Sequence, residues 1–498
     1  MTGQNETPSS VATLRRAFRA LEGMQRQLEK YQQARTEPIA IIGLGCRLPG
    51  GIVDAQSFWN VLGNGVDAIT EVPADRWDIE AFYDKEPQQP GKIYARTGGF
   101  IDHLDEFDHS FFEISRREAL NMDPQQRLCL QVAWEALENA GQSPQTVSGS
   151  RTGVFVGVST SDFVQTHFQH PLSVTAYAST GTAHSALTGR LSYALNLRGP
   201  NLAVDTACSS SLVAIQLACQ SLREGDSTMA LAGGVNVVLS PLTSIAYSQF
   251  PGMVSPDGIC KTFDAAANGS IASDGCGFVV LKRLSDAVKD GDQVLAVIRG
   301  GAVNQDGRTS GLTAPSAAAQ QEVIRRALEV SQIAPQDVSY VEAHGSGTPL
   351  GDPIEVEALA EVYGRPEGTP VYLGTVKTNI GHTQAAAGVT GVIKIVLSMQ
   401  HDVIPPHLHF SELNPEISFE GTTFAVPTVP TPWPAPGGRR IAGISAFAFS
   451  GTNAHLIIEA GPARAQVAAD DRRPLSLLAL SAKTESALSN WPAGTPTG

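Results

Sequence analysis

The six cysteines of this 498-residue chain include no Cys-x-x-Cys pair, so neither a disulfide framework nor a zinc signature is present. Such usage fits a reducing compartment. No uninterrupted apolar stretch reaches the ~18 residues that a membrane-spanning helix needs. The first ten residues carry Glu6 as their only charged side chain and no apolar block, unlike a secretory leader. A cytoplasmic, soluble protein is expected. Positive charge is scarce: 35 Lys and Arg stand against 49 Asp and Glu, and the net charge of -14 argues against a general binder of nucleic acid or anionic membrane. Charged residues make up only 17%, whereas 42% hydrophobic residues and 48 glycines describe a turn-rich globular α/β protein.

What is present is organised around residues 201–212, Asn-Leu-Ala-Val-Asp-Thr-Ala-Cys-Ser-Ser-Ser-Leu. The short apolar run Leu202–Val204 reads as a strand, and Leu212, Ile215, Leu217, Ala218 and Leu222 have the spacing of a buried helix. Cys208 sits at the join. Unpaired N–H groups and the positive end of the helix dipole favour its thiolate, the nucleophilic form. A lone cysteine is more often a buried structural residue, so the reading depends on partners elsewhere.

Upstream, Leu14, Leu21 and Leu28 share one heptad position and Ala17, Met24 and Tyr31 the other, a coiled-coil seam flanked by Arg15, Arg16, Arg19, Arg26 and Lys30. After Thr36-Glu37-Pro38, Ile39 to Gly45 predicts a strand and a tight turn. Its glycines invite a dinucleotide-binding reading, but Leu48 replaces the last glycine of that fingerprint and Pro49-Gly50-Gly51 stands where a phosphate-binding helix begins. Strand and helix patterns then alternate in two series, one up to Leu281 and one from Val294. Their repetition predicts a duplicated α/β unit with mainly parallel strands. Residues 462–474 have the composition of a linker.

Two histidines follow strands in the second series. Val341-Glu342-Ala343-His344-Gly345-Ser346-Gly347-Thr348 puts His344 ahead of a glycine loop, with Asp352 as the expected cap of the next helix. Lys377-Thr378-Asn379-Ile380-Gly381-His382 repeats the arrangement. Strand ends in a parallel α/β sheet gather on one side, which would bring Cys208, His344 and His382 together. A thiolate between two neutral imidazoles suits acyl transfer and enolate stabilisation, to which the turn at Ser450-Gly451 would add N–H donors.

Asp205 to Leu212, Glu342 to Glu355 and Lys377 to His382, together with Asn121-Met122-Asp123-Pro124-Gln125-Gln126-Arg127 and Gly451-Thr452-Asn453-Ala454-His455, resemble a β-ketoacyl synthase, and more narrowly the ketosynthase of a modular type I polyketide synthase. The resemblance runs from about Pro38 to Ala460. It implies a thiolase fold, duplicated in five layers α-β-α-β-α, and a homodimer. Cys208 would accept the acyl chain, His344 and His382 would promote decarboxylation and stabilise the enolate, and Lys377 would support them. The backbone N–H groups of Cys208 and Phe449 would form the oxyanion hole. No metal and no cofactor in this chain are implied, because substrates arrive on the phosphopantetheine of an acyl carrier protein. The expected division is residues 1–36 as a docking helix that binds an upstream synthase subunit, 37–461 as the ketosynthase and 462–498 as the start of a linker. An acyltransferase would come from another domain or chain. Ser346 stands where the family usually has Thr, and Ala448 where Gly is usual. The alternative is a non-elongating ketosynthase that dimerises, docks and transfers chains without condensation.

Overall fold

A computed structural model describes residues 13, 15–25, 36–167, 172, 174–462 and 482–489. Eleven strands form its main sheet: β1 Ile39–Arg47, β2 Thr152–Gly157, β3 Asn201–Val204, β4 Met229–Asn236, β5 Gly275–Arg283, β6 Ala296–Gln305, β7 Tyr340–Glu342, β8 Val371–Gly374, β9 Phe424–Ala425, β10 Ile441–Phe447 and β11 Thr452–Ala460. Their order is β9-β8-β7-β10-β11-β6-β1-β5-β4-β2-β3. Read outward from the centre, β1-β5-β4-β2-β3 and β6-β11-β10-β7-β8 are the same path taken twice. Each half has three parallel strands, β4-β2-β3 and β10-β7-β8, and meets the other through the antiparallel β1–β6 pair.

The expectation of mainly parallel pairing needs correction. Five pairings in this sheet are parallel and five antiparallel, because β1, β5, β6 and β11 at the centre all run against their neighbours. The β10–β11 pair is a hairpin closed directly through residues 448–451.

Alternation along the strands sorts side chains into layers. Ala442, Ile444 and Ala446 of β10 and Val279 and Leu281 of β5 join one core with helices α3 Ser210–Glu224 and α6 Ala387–His401. Opposite faces pack outward: Cys276, Phe278 and Val280 lie against α1 Pro124–Asn139 and α2 His184–Leu195, and Ile441 and Ile457 against α4 Ala317–Ser331 and α5 Gly351–Tyr363. The result is the expected α-β-α-β-α stack, with α3 and α6 as its middle layer. In β1 the inner set changes parity from Ile39 and Ile41 to Leu44 and Cys46, and a register shift between Ile41 and Gly43 accounts for it.

Gly43 and Gly45 belong to this strand and form no turn. A Cβ at Gly43 would stand 2.6 Å from the Ala136 carbonyl oxygen, and one at Gly45 2.7 Å from that of Val132. Their lack of a side chain lets α1 lie against the strand, which removes the dinucleotide reading on structural grounds. At the N-terminus, residues 15–25 are helical and exposed, including Phe18, Leu21 and Met24. The other seam residues, Leu14, Leu28 and Tyr31, and the basic Arg26 and Lys30 lie outside the described residues. Among the described residues no helix is long and apolar enough to cross a membrane.

Candidate active site

All six cysteines are free, and Cys208 alone is partly exposed while the other five are buried. It lies on the 3-10 turn Ala207–Ser209 that leads into α3. Ala207 takes a left-handed backbone, φ +54°, which a residue with a Cβ adopts at a cost of roughly 1 kcal/mol. Local bonds hold this turn: Ser210 Oγ accepts from Thr206 N at 2.9 Å and donates to the Ala207 carbonyl at 2.6 Å, and Asp205 Oδ1 accepts from Ala207 N at 3.1 Å. The thiol is therefore displayed on a strained, well-fastened bend.

The structure brings Cys208, His344 and His382 together on one cavity of about 490 Å³, with Phe449 on its wall. His344 follows β7 and His382 follows β8 after the short helix Lys377–Ile380. The imidazole centroids are 5.4 Å apart at 78°. Each ring is oriented by a backbone N–H: Phe447 N donates to His344 Nδ1 at 3.4 Å, and Gln384 N donates to His382 Nδ1 at 3.1 Å. An Nδ1 that accepts leaves the proton on Nε2, so both rings present an N–H donor. Burial, then the Lys377 charge, holds both histidines well below the usual imidazole range, and His382 adds to the effect on His344. Both are neutral at physiological pH.

Lys377 is buried and donates from Nζ to the His344 carbonyl at 2.5 Å. Burial lowers its pKa, while Glu342, Glu355, Cys260 and Cys208 raise it in that order. The His344 loop rests on buried carboxylates. Glu355 accepts from His344 N and Gly345 N, both at 2.7 Å. Asp352 is no helix cap: α5 begins without a side-chain cap, and Asp352 accepts instead from Phe263 N at 2.9 Å and Gly347 N at 3.0 Å. Burial pushes both carboxyls up to about 7.

For Cys208 the helix-terminus expectation meets an opposing effect. Burial pushes the thiol up to about 11, and Lys377 and the backbone N–H groups of Phe449 and Cys208 lower it without overcoming burial. The resting sulfur is a thiol at neutral pH. The two N–H groups that face it are those named as the oxyanion hole. Gly451 N, by contrast, is used within the hairpin, donating to the Ala448 carbonyl at 2.8 Å. Ala448 does not take a left-handed backbone, so the hairpin accepts alanine where glycine is usual. Ser346 keeps its hydroxyl, 3.1 Å from Thr348 Oγ1. His455 of the last motif stays out of the site, held in the core between Tyr363 Oη at 2.8 Å and Ser445 Oγ at 2.9 Å.

Sequence reasoning finds no role for Lys394, which lies 2.8 Å from Glu342 Oε2 with both side chains almost fully buried. One lysine amid the apolar run Val389 to Met399 is the available signal. Among the described residues no group of three or more His, Cys, Asp or Glu has a metal-holding arrangement.

Comparison with known proteins agrees with this geometry. Family profiles match in sequence order: Beta-ketoacyl synthase, N-terminal domain over residues 36–287, Beta-ketoacyl synthase, C-terminal domain over 295–411, and Ketoacyl-synthetase C-terminal extension over 414–493. The chain is 53% identical over 451 residues to a phenolphthiocerol/phthiocerol polyketide synthase component of Mycobacterium tuberculosis CDC 1551, covering 90% of this chain and 25% of that protein. Another component of the same synthase, from the same strain, is 52% identical over 481 residues, covering 95% and 31%. The chain thus spans about a quarter to a third of these relatives. Among solved structures, an oxazolomycin ketosynthase domain of Streptomyces albus JA3453 superposes with a TM-score of 0.82 at 41% identity, covering 86% of this chain and 77% of that one. The module 6 ketosynthase of the bacillaene synthase of Bacillus subtilis 168 gives 0.79 at 40%, covering 86% and 72%. With the thiolase-type fold in place, the chain belongs to the β-ketoacyl synthase family, as a ketosynthase of the polyketide synthase kind.

Proposed function

We propose that this chain extends a polyketide by decarboxylative Claisen condensation, with Cys208 as the acyl carrier and malonyl-type units delivered by acyl carrier protein. The observation that carries the reading is the pair of histidines whose Nδ1 atoms accept backbone N–H groups, which leaves Nε2–H as the donor, on the same cavity as Cys208, the one cysteine that is partly exposed. In the first step Cys208 attacks an acyl thioester; its proton ends on the departing phosphopantetheine sulfur, and the N–H groups of Cys208 and Phe449 hold the oxyanion. In the second, His344 and His382 donate to the thioester oxygen of the malonyl unit. Loss of CO₂ leaves an enolate at that oxygen, its carbon attacks the Cys208 thioester, and the Cys208 thiolate is expelled. Burial keeps both imidazoles neutral, and the Lys377 charge adds to it.

The same reading assigns residues 37–461 to the ketosynthase, 1–36 to a docking helix for an upstream synthase protein and 462–498 to the beginning of a linker. On it the protein is cytoplasmic, with an acyltransferase supplied by another domain or chain. A homodimer through β3 is part of it: β3 is the outer strand of the first half, with Leu202 exposed on it and Tyr193 of α2 90% exposed nearby in sequence. The exposed Phe18, Leu21 and Met24 offer an apolar face to a partner helix.

The test is intact-mass analysis after incubation with an acyl thioester, followed by a malonyl carrier protein. Wild type is expected to gain the acyl mass and then release an extended product. Cys208→Ala should gain none. His344→Ala should still acylate and lose condensation by about 10²- to 10³-fold, the scale of removing one oxyanion donor. Acylation that persists in Cys208→Ala sinks the assignment, and a wild type that acylates but never condenses favours the non-elongating alternative.

A further inference from the structure

Glu342 ends β7 two residues before His344 and is 2% exposed, and its carboxylate bonds to groups other than the two histidines. Its carboxylate is fully engaged. Oε1 accepts from Val376 N at 2.6 Å, and Oε2 accepts from Tyr340 Oη at 2.5 Å and from Lys394 Nζ at 2.8 Å. Val376 is the residue that caps the short helix carrying Lys377. Lys394 comes from α6, the helix that follows His382, and its Nζ also lies 5.7 Å from the centre of the Tyr340 ring. One buried carboxylate thus ties β7, which leads to His344, to the turn that carries Lys377 and to α6, the helix that follows His382.

The geometry points to Glu342 as a positioning residue: clamped by Lys394 and Tyr340, it fixes the Lys377 turn against β7 through the Val376 N–H. Six other groups act on or answer to Lys377: Glu355, Cys260 and Cys208 favour its charge, while His344, His382 and Asp352 feel it. Glu342 is the strongest of those favouring it. The chain of effects therefore runs from Glu342 to Lys377 to the reactivity of the Cys208 sulfur. A purely structural ion pair would stabilise the fold and leave that reactivity unchanged. Importance of the clamp for condensation rests on the function proposed above, whereas its effect on the thiol does not.

The test uses the full chain and iodoacetamide, which needs no substrate, with Cys208 alkylation followed by mass over pH 7–10. Glu342→Gln/Lys394→Met removes both charges together, so that neither is left buried and unpaired. We expect it to alkylate about three- to tenfold more slowly than wild type, with Lys377→Met reaching about tenfold, the equivalent of one unit of pKa. Glu342→Asp, which keeps the charge, should recover most of the rate. Tyr340→Phe removes one donor to the carboxylate and leaves no charge unpaired; a change of about twofold in the same direction is expected, on the scale of one hydrogen bond only partly felt at the thiol. If the double variant folds and its profile superimposes on wild type, the inference is overturned. If it does not fold, a Tyr340→Phe profile identical to wild type overturns it instead. A wild type that alkylates as expected but never condenses would defeat the proposed function and leave this inference standing.

Discussion

Helices α3 and α6 are copies of one design. Both run for 15 residues, both are entered through a three-residue 3-10 turn whose first residue is left-handed, Ala207 at φ +54° and Gln384 at φ +48°, and both end on a left-handed residue, Gly225 and Asp402. The second residue of the turn is Cys208 in the first half and Ala385 in the second. What differs is the approach. β3 reaches its turn through Asp205 and Thr206, whereas β8 is followed by residues 375–383, which carry Lys377 and His382. The means of fixing them differ too: hydroxyls of Ser209 and Ser210 fasten the cysteine bend, and buried carboxylates of Glu342, Asp352 and Glu355 fasten the histidine side. Duplication provides two equivalent helix entrances. The two entrances differ because one received a cysteine on a bend held by hydroxyls and the exposed Asp205 carboxylate, and the other a support of buried carboxylates and Lys377.

The charged side should respond most strongly when altered. Glu355→Gln replaces an acceptor of two N–H groups with one that can accept only one of them at its oxygen, so the His344 loop shifts. Condensation is expected to fall roughly tenfold, the scale of one hydrogen bond to a charged group, while acylation of Cys208 continues. The pH dependence has a definite sign. The folded carboxyl sits at about 7, above its ordinary 4.5, so the stability it contributes is fully present below about 4.5 and declines as pH rises to about 7. Removing the group should flatten the melting temperature over that range, with a residual slope from Asp352, which behaves alike. Identical slopes in wild type and variant would contradict this account.

The join between the copies is next in size. Gly388 of α6 faces α3, and a Cβ there would lie 2.8 Å from Leu212 N and 3.1 Å from its Cα. The corresponding residue of α3, Ser211, has a side chain that fits because its Oγ accepts from Val389 N at 3.1 Å. Glycine to alanine inside a helix ordinarily gains about 1 kcal/mol. Here overpacking, typically 1–3 kcal/mol, opposes that gain, and Gly388→Ala is expected to lower stability by about 1 kcal/mol. Urea unfolding measures it, and a stabilised variant would show that the helices can separate freely.

Much of this is legible in the chain itself, for reasons that also mark the limit. Cys208, His344 and His382 announce themselves because each follows an apolar strand, and strand ends converge in such sheets. The two strand-helix series likewise point to the duplication. Periodicity cannot tell that the central strands are antiparallel, since a fully buried strand reads apolar in either direction. Gly43 and Gly45 look like a phosphate turn until the approach of α1 is known. The thiol's ionisation is misjudged because a helix terminus is visible in sequence and the surrounding burial is not. Lys394 reaches Glu342 across the interior, a pairing that no local spacing encodes.

The smallest expected change tests the hydroxyls of the cysteine bend. Ser210 Oγ is shared between Thr206 N and the Ala207 carbonyl, and its counterpart Ala387 makes no such bonds, although Gln384 is equally left-handed. The hydroxyl is therefore not required for the backbone shape alone. If it serves to hold the cysteine bend, Ser210→Ala should cost about 1 kcal/mol of stability and slow Cys208 acylation by about two- to fivefold. Decarboxylation of a malonyl thioester, which the proposed function gives to the histidine side, should keep its rate, and no new pH dependence should appear because no ionisable group has been lost. Equal slowing of both steps would mean that the two entrances are mechanically coupled through α3 and α6, and the contrast between a hydroxyl-fastened bend and a support of buried carboxylates would then describe bonding partners without describing separable functions.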